Sequence, residues 1–406
     1  MIKKTCITLT LLALSLCQTP SGRYISNSDT NIQGPCISNQ QRLILEERII
    51  RNIDSLKHID LLDEFDSRLP HPYFIFPLQA STEYTEPDFY GTWNFVDQNQ
   101  SEYGTNNSTL DYNCGDYTYD TDDGYSHKGT DYFIGPYPWH MMNNDSVEII
   151  AVADGVIIGK FDGSPDDTCG WPPPNNTTEW NYVAILHYDN SVTLYGHMKT
   201  GSVTTKNINE SVISGEYLGV VGSSGWSSGP HLHFEVYSNN QLQNGWFNPS
   251  NLIDPYEGEC NSLNEDSWWI EQESYYEPSL LRIMTHSDNP IYHDCDNGHG
   301  VPATLSIQNS FIPGQNIIIE VSFRDMVPDV NVELSIINPN EEVYFNSYDY
   351  IDSYLREGSG WWEVTTPVEN SSIGTWNIIV NYNEEEYSYS FSIDNIPYLS
   401  SNIEII

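Results

Sequence analysis

Basic residues are scarce in this chain: 15 Lys and Arg stand against 57 Asp and Glu, leaving a formal net charge of −42. A surface of that sign repels phosphate and anionic headgroups, which argues against nucleic acid as a partner and favours high solubility. Long apolar runs are missing as well, and nothing approaches the ~20 consecutive apolar residues of a membrane-spanning helix. Cysteine is sparse, seven in 406 residues, and never in the Cys-x-x-Cys spacing of a zinc ribbon or redox site. The acidic cluster Asp116, Asp120, Asp122 and Asp123 lacks the glycine-centred spacing of a calcium loop and reads as solvated surface.

What the chain does have begins at its amino terminus. Met1-Ile2-Lys3-Lys4 precedes an apolar stretch from Cys6 to Leu16 and then the small and polar residues Gln18 to Gly22. A basic start, a short apolar middle and a cleavage region make residues 1–17 a signal peptide, so the product is expected to be secreted or periplasmic. Lipid anchoring through Cys17 is disfavoured, because Leu16 is bulkier than lipidation signals usually allow.

Three short elements carry chemistry. In Ser228-Gly229-Pro230-His231-Leu232-His233-Phe234-Glu235-Val236 the two histidines lie two apart. On a strand, that spacing projects them from one face. Alone, the pair reads first as a surface strand with two solvated imidazoles. Upstream, His127 and Asp131 lie four apart beside Gly129, and Leu194-Tyr195-Gly196-His197-Met198 ends a β-like run in a further histidine. Together they suit a catalytic zinc site, where three protein ligands leave a fourth position for water. We assign His127, Asp131 and His233 as the ligands of Zn2+. His197 and His231 then stand beside the metal, free to move protons near neutral pH, with His231 as the general base. A non-catalytic zinc site would leave those two histidines unexplained.

These elements resemble the signatures of the lysostaphin/LytM-type zinc endopeptidases, and the lead-in Gly215 to Gly225 is similar too. The resemblance spans roughly residues 110–257. It implies a hydrolase of peptide bonds in bacterial peptidoglycan, with zinc on His127, Asp131 and His233 and catalytic roles for His197 and His231. Ser227-Ser228-Gly229 stands where the family often has Ser-Thr-Gly, which keeps a hydroxyl. Some family members lack metal ligands and act only as regulators, but all five polar residues are present here. Two other readings remain: a catalytically silent wall-binding or regulatory protein with the same fold, and a zinc endopeptidase acting on proteins.

The expected architecture is mainly β: an antiparallel β-sheet catalytic domain with a C-terminal β-sandwich and a short N-terminal helical segment. Short β-runs and glycine turns fill Val147 to Tyr237, and strands alternate again from Ile317 to Ile393. The boundaries read as a helical segment and linker at 18–84, the endopeptidase domain at 85–258, an acidic linker at 259–280 and the sandwich at 281–406. Ile49, Ile53 and Leu56 have helical spacing. That helix is either a packing element or a pro-segment that covers the zinc until removed. The tyrosine and tryptophan content suits a glycan or surface partner for the C-terminal domain. Disulfides are expected to join Cys114 to Cys169 and, on weaker grounds, Cys260 to Cys295. His187, beside a turn, is expected at the surface. His293, Asp294, Cys295 and His299 read as a disulfide-tied loop rather than a second metal site.

Overall fold

The computed structural model describes residues 36–394 except 59–69, 101–108, 122–124, 171–178, 239–249, 293, 352 and 368–372. Residues 1–17, read above as a signal peptide, lie outside the described residues. Among the described residues the fold is mainly β, in sheets that are antiparallel except for the pair Ser310–Phe311 and Glu385–Ile393, with few helices, as the sequence predicts. In the larger sheet the strands run Tyr90–Asn94, Thr130–Ile134, His231–Tyr237, Val192–Gly196, Tyr182–Leu186, Gly155–Phe161 and Ser211–Val212. All of these pair antiparallel. A three-stranded sheet of Leu78–Ala80, Val147–Ile150 and Tyr217–Val220 belongs to the same part of the chain.

Period-two alternation sorts the strand residues between two apolar cores. Val183, Ile185, Leu232, Phe234 and Val236 join the core that contains the small sheet. Tyr182, Ala184, Leu186 and Tyr237 join the other, with Leu45, Ile49, Ile53 and Leu56 of the helix Asn39–His58. Those four recur every three or four residues, so one stripe of the helix is buried. Full burial of each leucine or isoleucine is worth about 1.5–3 kcal/mol. His231, His233 and Glu235 alternate with Leu232, Phe234 and Val236. They therefore lie on the face that the helix covers.

Cys114 pairs with Cys260, Cα to Cα 5.1 Å, which replaces both expected pairings. The bonded segments run side by side: the Cys260 amide donates to the Tyr112 carbonyl at 2.9 Å, and the Tyr112 ring stacks on Tyr256. Spacing along the chain carried no trace of that contact. Cys169 and Cys295 do meet, the Cys295 thiol donating to the Cys169 carbonyl. In the same loop His299 Nδ1 bonds Asp167 at 2.8 Å, while His293 lies outside the described residues. The expectation for His187 fails. It is 2% exposed, with Nδ1 on the Asp154 carbonyl at 2.8 Å and Nε2 on Thr193 Oγ1 at 2.9 Å.

Beyond Pro278 a sheet of Ser279–His286, Asn316–Met326 and Leu355–Thr365 shares a core with a five-stranded sheet. Trp362 from the first and Trp376 from the second lie in that core. The pair Arg324–Asp88, at 2.8 Å, ties this three-stranded sheet to the segment before the strand Tyr90–Asn94. Glu357 makes a second tie, through a hydrogen bond to Trp93 that opposes the burial pushing its carboxyl up to about 7. The folded chain therefore holds this proton more tightly than the unfolded one. Stability falls as pH rises from the ordinary value of 4.5 to about 7. Glu357→Gln is expected to flatten the decline of Tm across that window in calorimetry. Asp254, pushed up to about 8 by burial, leaves a residual slope.

Candidate metal and catalytic centre

Sheet register assembles the site. Asp131 pairs with His233 on one side of the strand His231–Tyr237, and Gly196 pairs with His233 on the other. His197 is the next residue, in a left-handed backbone conformation (φ 59°) that ends the strand. Such a conformation is uncommon for a residue with a Cβ and concentrates at functional sites. The structure thus brings all five sequence-predicted residues together, and each is at most 3% exposed.

Every imidazole is held by its outer nitrogen. His127 Nδ1 donates to the Phe95 carbonyl, His197 Nδ1 to that of Ser224 and His231 Nδ1 to that of Gly229, each at 2.7 Å. His233 is turned the other way: Nε2 meets Glu235 Oε1 at 2.9 Å and Nδ1 faces inward. The inner atoms converge on Asp131. His233 Nδ1 lies 2.7 Å from Oδ1, His127 Nε2 3.0 Å from Oδ2 and His231 Nε2 3.6 Å from Oδ1. Among the described residues, buried His197 Nε2 has no nitrogen or oxygen hydrogen-bond partner, and its near neighbour is the Cys36 sulfur. A carboxylate with two imidazole nitrogens closing on it, each fixed from behind, is a donor set that fits a tetrahedral metal with one open position.

The electrostatics follow from that crowding. Burial opposes charge on His127 and His231, but the Asp131 carboxylate outweighs it and raises both to about 9. Burial likewise opposes ionisation of Asp131, yet His127 and His231 hold it well below the usual carboxylate range. His197 has no carboxylate at contact, and burial lowers it below the ordinary histidine value, with His231 acting in the same direction. A metal held by these imidazoles would displace their protons.

Sequence reasoning missed several functional neighbours. Glu235 was visible in the His-x-His-x-Glu alternation, yet its partner Arg42 lies 193 positions away and donates to both carboxylate oxygens, at 2.5 and 3.0 Å. The Tyr119 ring stacks on His127 at 4.5 Å, and Trp180 meets His197 edge-on at 5.0 Å and lies tilted against His233 at 5.4 Å. No local motif marks either aromatic. Cys36 is also here: its sulfur, with one ligand atom each from His127, Asp131 and His233, forms a group within 4.8 Å.

Gly129 shows how tightly the centre is packed. A Cβ at this position would sit 2.7 Å from both Cε1 and Nε2 of His233. Gly129→Ala, whose Cβ would also meet the Phe234 carbonyl at 2.7 Å, is expected to push the imidazole and its strand away from Asp131 and weaken metal binding about tenfold or more, the effect typical of disturbed ligand support. Competition with a chromogenic chelator measures it. Unchanged affinity would mean that His233 is not a ligand.

Residues 126–245 match the profile of Peptidase family M23. A 64-residue stretch is 42% identical to "DD-carboxypeptidase/endopeptidase Mpg" of Neisseria meningitidis serogroup B, covering 16% of this chain and 14% of that protein. Another, of 118 residues, is 30% identical to "Peptidoglycan DD-endopeptidase ShyC" of Vibrio cholerae serotype O1, covering 28% and 21%. The chain thus spans about a fifth or less of the length of these curated relatives. Among solved structures, the catalytic domain of the antimicrobial peptidase lysostaphin from Staphylococcus simulans is 22% identical, covering 34% of this chain and 83% of that one with a TM-score of 0.23.

Proposed function

We propose, for a chain whose residues 126–245 belong to peptidase family M23 and carry the lysostaphin/LytM-type signatures, that it is an exported zinc-dependent endopeptidase hydrolysing peptide bonds in bacterial peptidoglycan. The observation that carries the reading is the convergence of His127 Nε2, His233 Nδ1 and both Asp131 oxygens, with buried His197 Nε2 beside them. The peptidoglycan substrate is supported by the relatives named above, and export by the composition of residues 1–17.

Zinc, when bound, supplies Lewis acidity at the scissile carbonyl, a water whose pKa is lowered toward 7, and positive charge that offsets the Asp131 carboxylate now holding His231 protonated. The chain's own groups do the rest. His231 keeps its Nδ1 proton on the Gly229 carbonyl, so Nε2 is the atom that takes the proton from the attacking water. His197 keeps its Nδ1 proton on the Ser224 carbonyl. A proton reaching its Nε2 is held weakly, because burial disfavours the cation. That suits His197, once it receives the proton that His231 takes from the water, to steady the tetrahedral oxyanion and then to give that proton to the leaving amine; the two rings lie 4.5 Å apart. Trp180 and Trp93 wall the two proton carriers with apolar surface.

The test is digestion of purified peptidoglycan by the zinc-loaded full chain and by its Cys36→Ser variant, with mass spectrometry of the released fragments. New peptide amino termini that vanish on chelation support the proposal. Peptidoglycan left intact by both proteins overturns it. Cleavage of a protein substrate in that case would move the reading to a proteinase.

A further inference from the structure

We infer that Cys36 is a fourth metal ligand whose thiolate takes the position the attacking water needs, so that the chain carrying residues 36–58 is a latent form latched by its own helix. The inference rests on the reading of His127, Asp131 and His233 as the zinc ligands.

Two overlapping clusters fix where the sulfur stands. Cys36 groups with His127, Asp131 and His233 within 4.8 Å, and it also groups with His197 and His231 within the same distance. The first set is the metal side of the centre and the second is the proton-carrying side. A reacting water must lie between them, because it has to touch the metal and give up a proton. The sulfur is in that place, fully inside the protein at 5% exposure, and it is not in a disulfide. The Tyr119 hydroxyl, 3.0 Å away, bounds it on another side. Thiolate is a strong zinc ligand, and three protein ligands plus one sulfur complete the tetrahedron of a closed site. The exchange balances simply: the thiol gives its proton to solvent, the water leaves, and nothing is oxidised or reduced.

The helix behind Cys36 is built to keep it there. Ser38 Oγ accepts from the Gln41 amide at 3.3 Å, and Gln41 Oε1 accepts from the Ser38 amide at 2.7 Å. This reciprocal cap fixes the helix start two residues after the cysteine. One turn in, Arg42 grips Glu235, the carboxylate that holds His233 from behind. Further along, Arg48 pairs with Glu179 at 2.8 Å, one residue before Trp180, and Asn52 Nδ2 donates to the Ile158 carbonyl at 2.7 Å. The helix is therefore anchored to the same strand that carries His231 and His233. Displacing it would withdraw the sulfur and free the fourth position.

Zinc K-edge absorption on the full chain, loaded with one equivalent of zinc, reads the ligand directly. One sulfur at about 2.3 Å beside nitrogen and oxygen at about 2.0–2.2 Å is expected. Cys36→Ser should lose the sulfur shell, with circular dichroism showing the β fold retained. Cys36→Ala removes the hydroxyl as a substitute ligand. A latch occupying the site nine-tenths of the time hides activity about tenfold. Hydrolysis by either variant should therefore exceed that of the unaltered chain by about tenfold or more. Zinc held by nitrogen and oxygen alone in the unaltered chain would overturn the latch and leave the zinc reading standing. A chain that binds no zinc would overturn both.

Discussion

Replacing His231 by alanine is expected to slow peptide hydrolysis about 10²- to 10⁴-fold, the range for removing a positioned general acid–base group, while leaving zinc bound. The comparison belongs in the Cys36→Ser background, where the fourth position is open. His231 Nε2 lies 3.6 Å from Asp131, against 2.7 and 3.0 Å for the inner nitrogens of His233 and His127. On the proposed reading, that difference sets a neighbour of the metal apart from its ligands. Asp131→Ala should behave differently, losing metal and hydrolysis together, because both ligand imidazoles close on that one carboxylate. Metal content by mass spectrometry and initial rates on a defined muropeptide decide between the two patterns. Loss of zinc from the His231 variant, or an unchanged rate, would sink the assigned role.

The parts of the centre that could be read from the chain are those fixed by local geometry. Strand alternation alone put His231 and His233 on one face. The turn after Tyr195-Gly196 was visible, though not the positive φ that swings His197 inward. The β-rich fold and the helical stripe of Ile49, Ile53 and Leu56 were legible for the same reason: each is a periodicity within a single element. What failed depended on long-range contact. Cys114 joins Cys260 across 146 positions, beside the stack of Tyr112 on Tyr256, and no spacing rule contains that contact. His187 looks like a turn residue, yet the Asp154 carbonyl and Thr193 hydroxyl draw it inside. Cys36 carried no motif at all. Its meaning comes from a helix that packs on the histidine face, and the sequence left the helix between a spacer and a cover.

Glu235→Gln should produce the second large effect, because one carboxylate does two jobs. It is fully buried, accepts from Arg42 on both oxygens and from the Tyr237 hydroxyl, and meets the outer nitrogen of His233 at 2.9 Å. Burial opposes its ionisation, but the Arg42 guanidinium outweighs that and holds the carboxyl well below the usual range. The isosteric amide keeps the volume and removes the charge. Arg42 is then left buried without a counter-charge, and breaking a buried pair from one side costs about 3–5 kcal/mol. The same change removes the carboxylate support of a metal ligand, worth about 10- to 100-fold in affinity. Denaturant unfolding and a zinc competition titration, both on Cys36→Ser protein, should therefore move together. Arg42→Met separates the two jobs. It should loosen the helix and lower stability, and it should weaken zinc less than Glu235→Gln does, because Glu235 keeps its contact with His233 even after losing the guanidinium that favours its ionised form. Equal zinc affinities for Glu235→Gln and its parent would mean that His233 does not offer Nδ1 to the metal, and the ligand set would have to be redrawn.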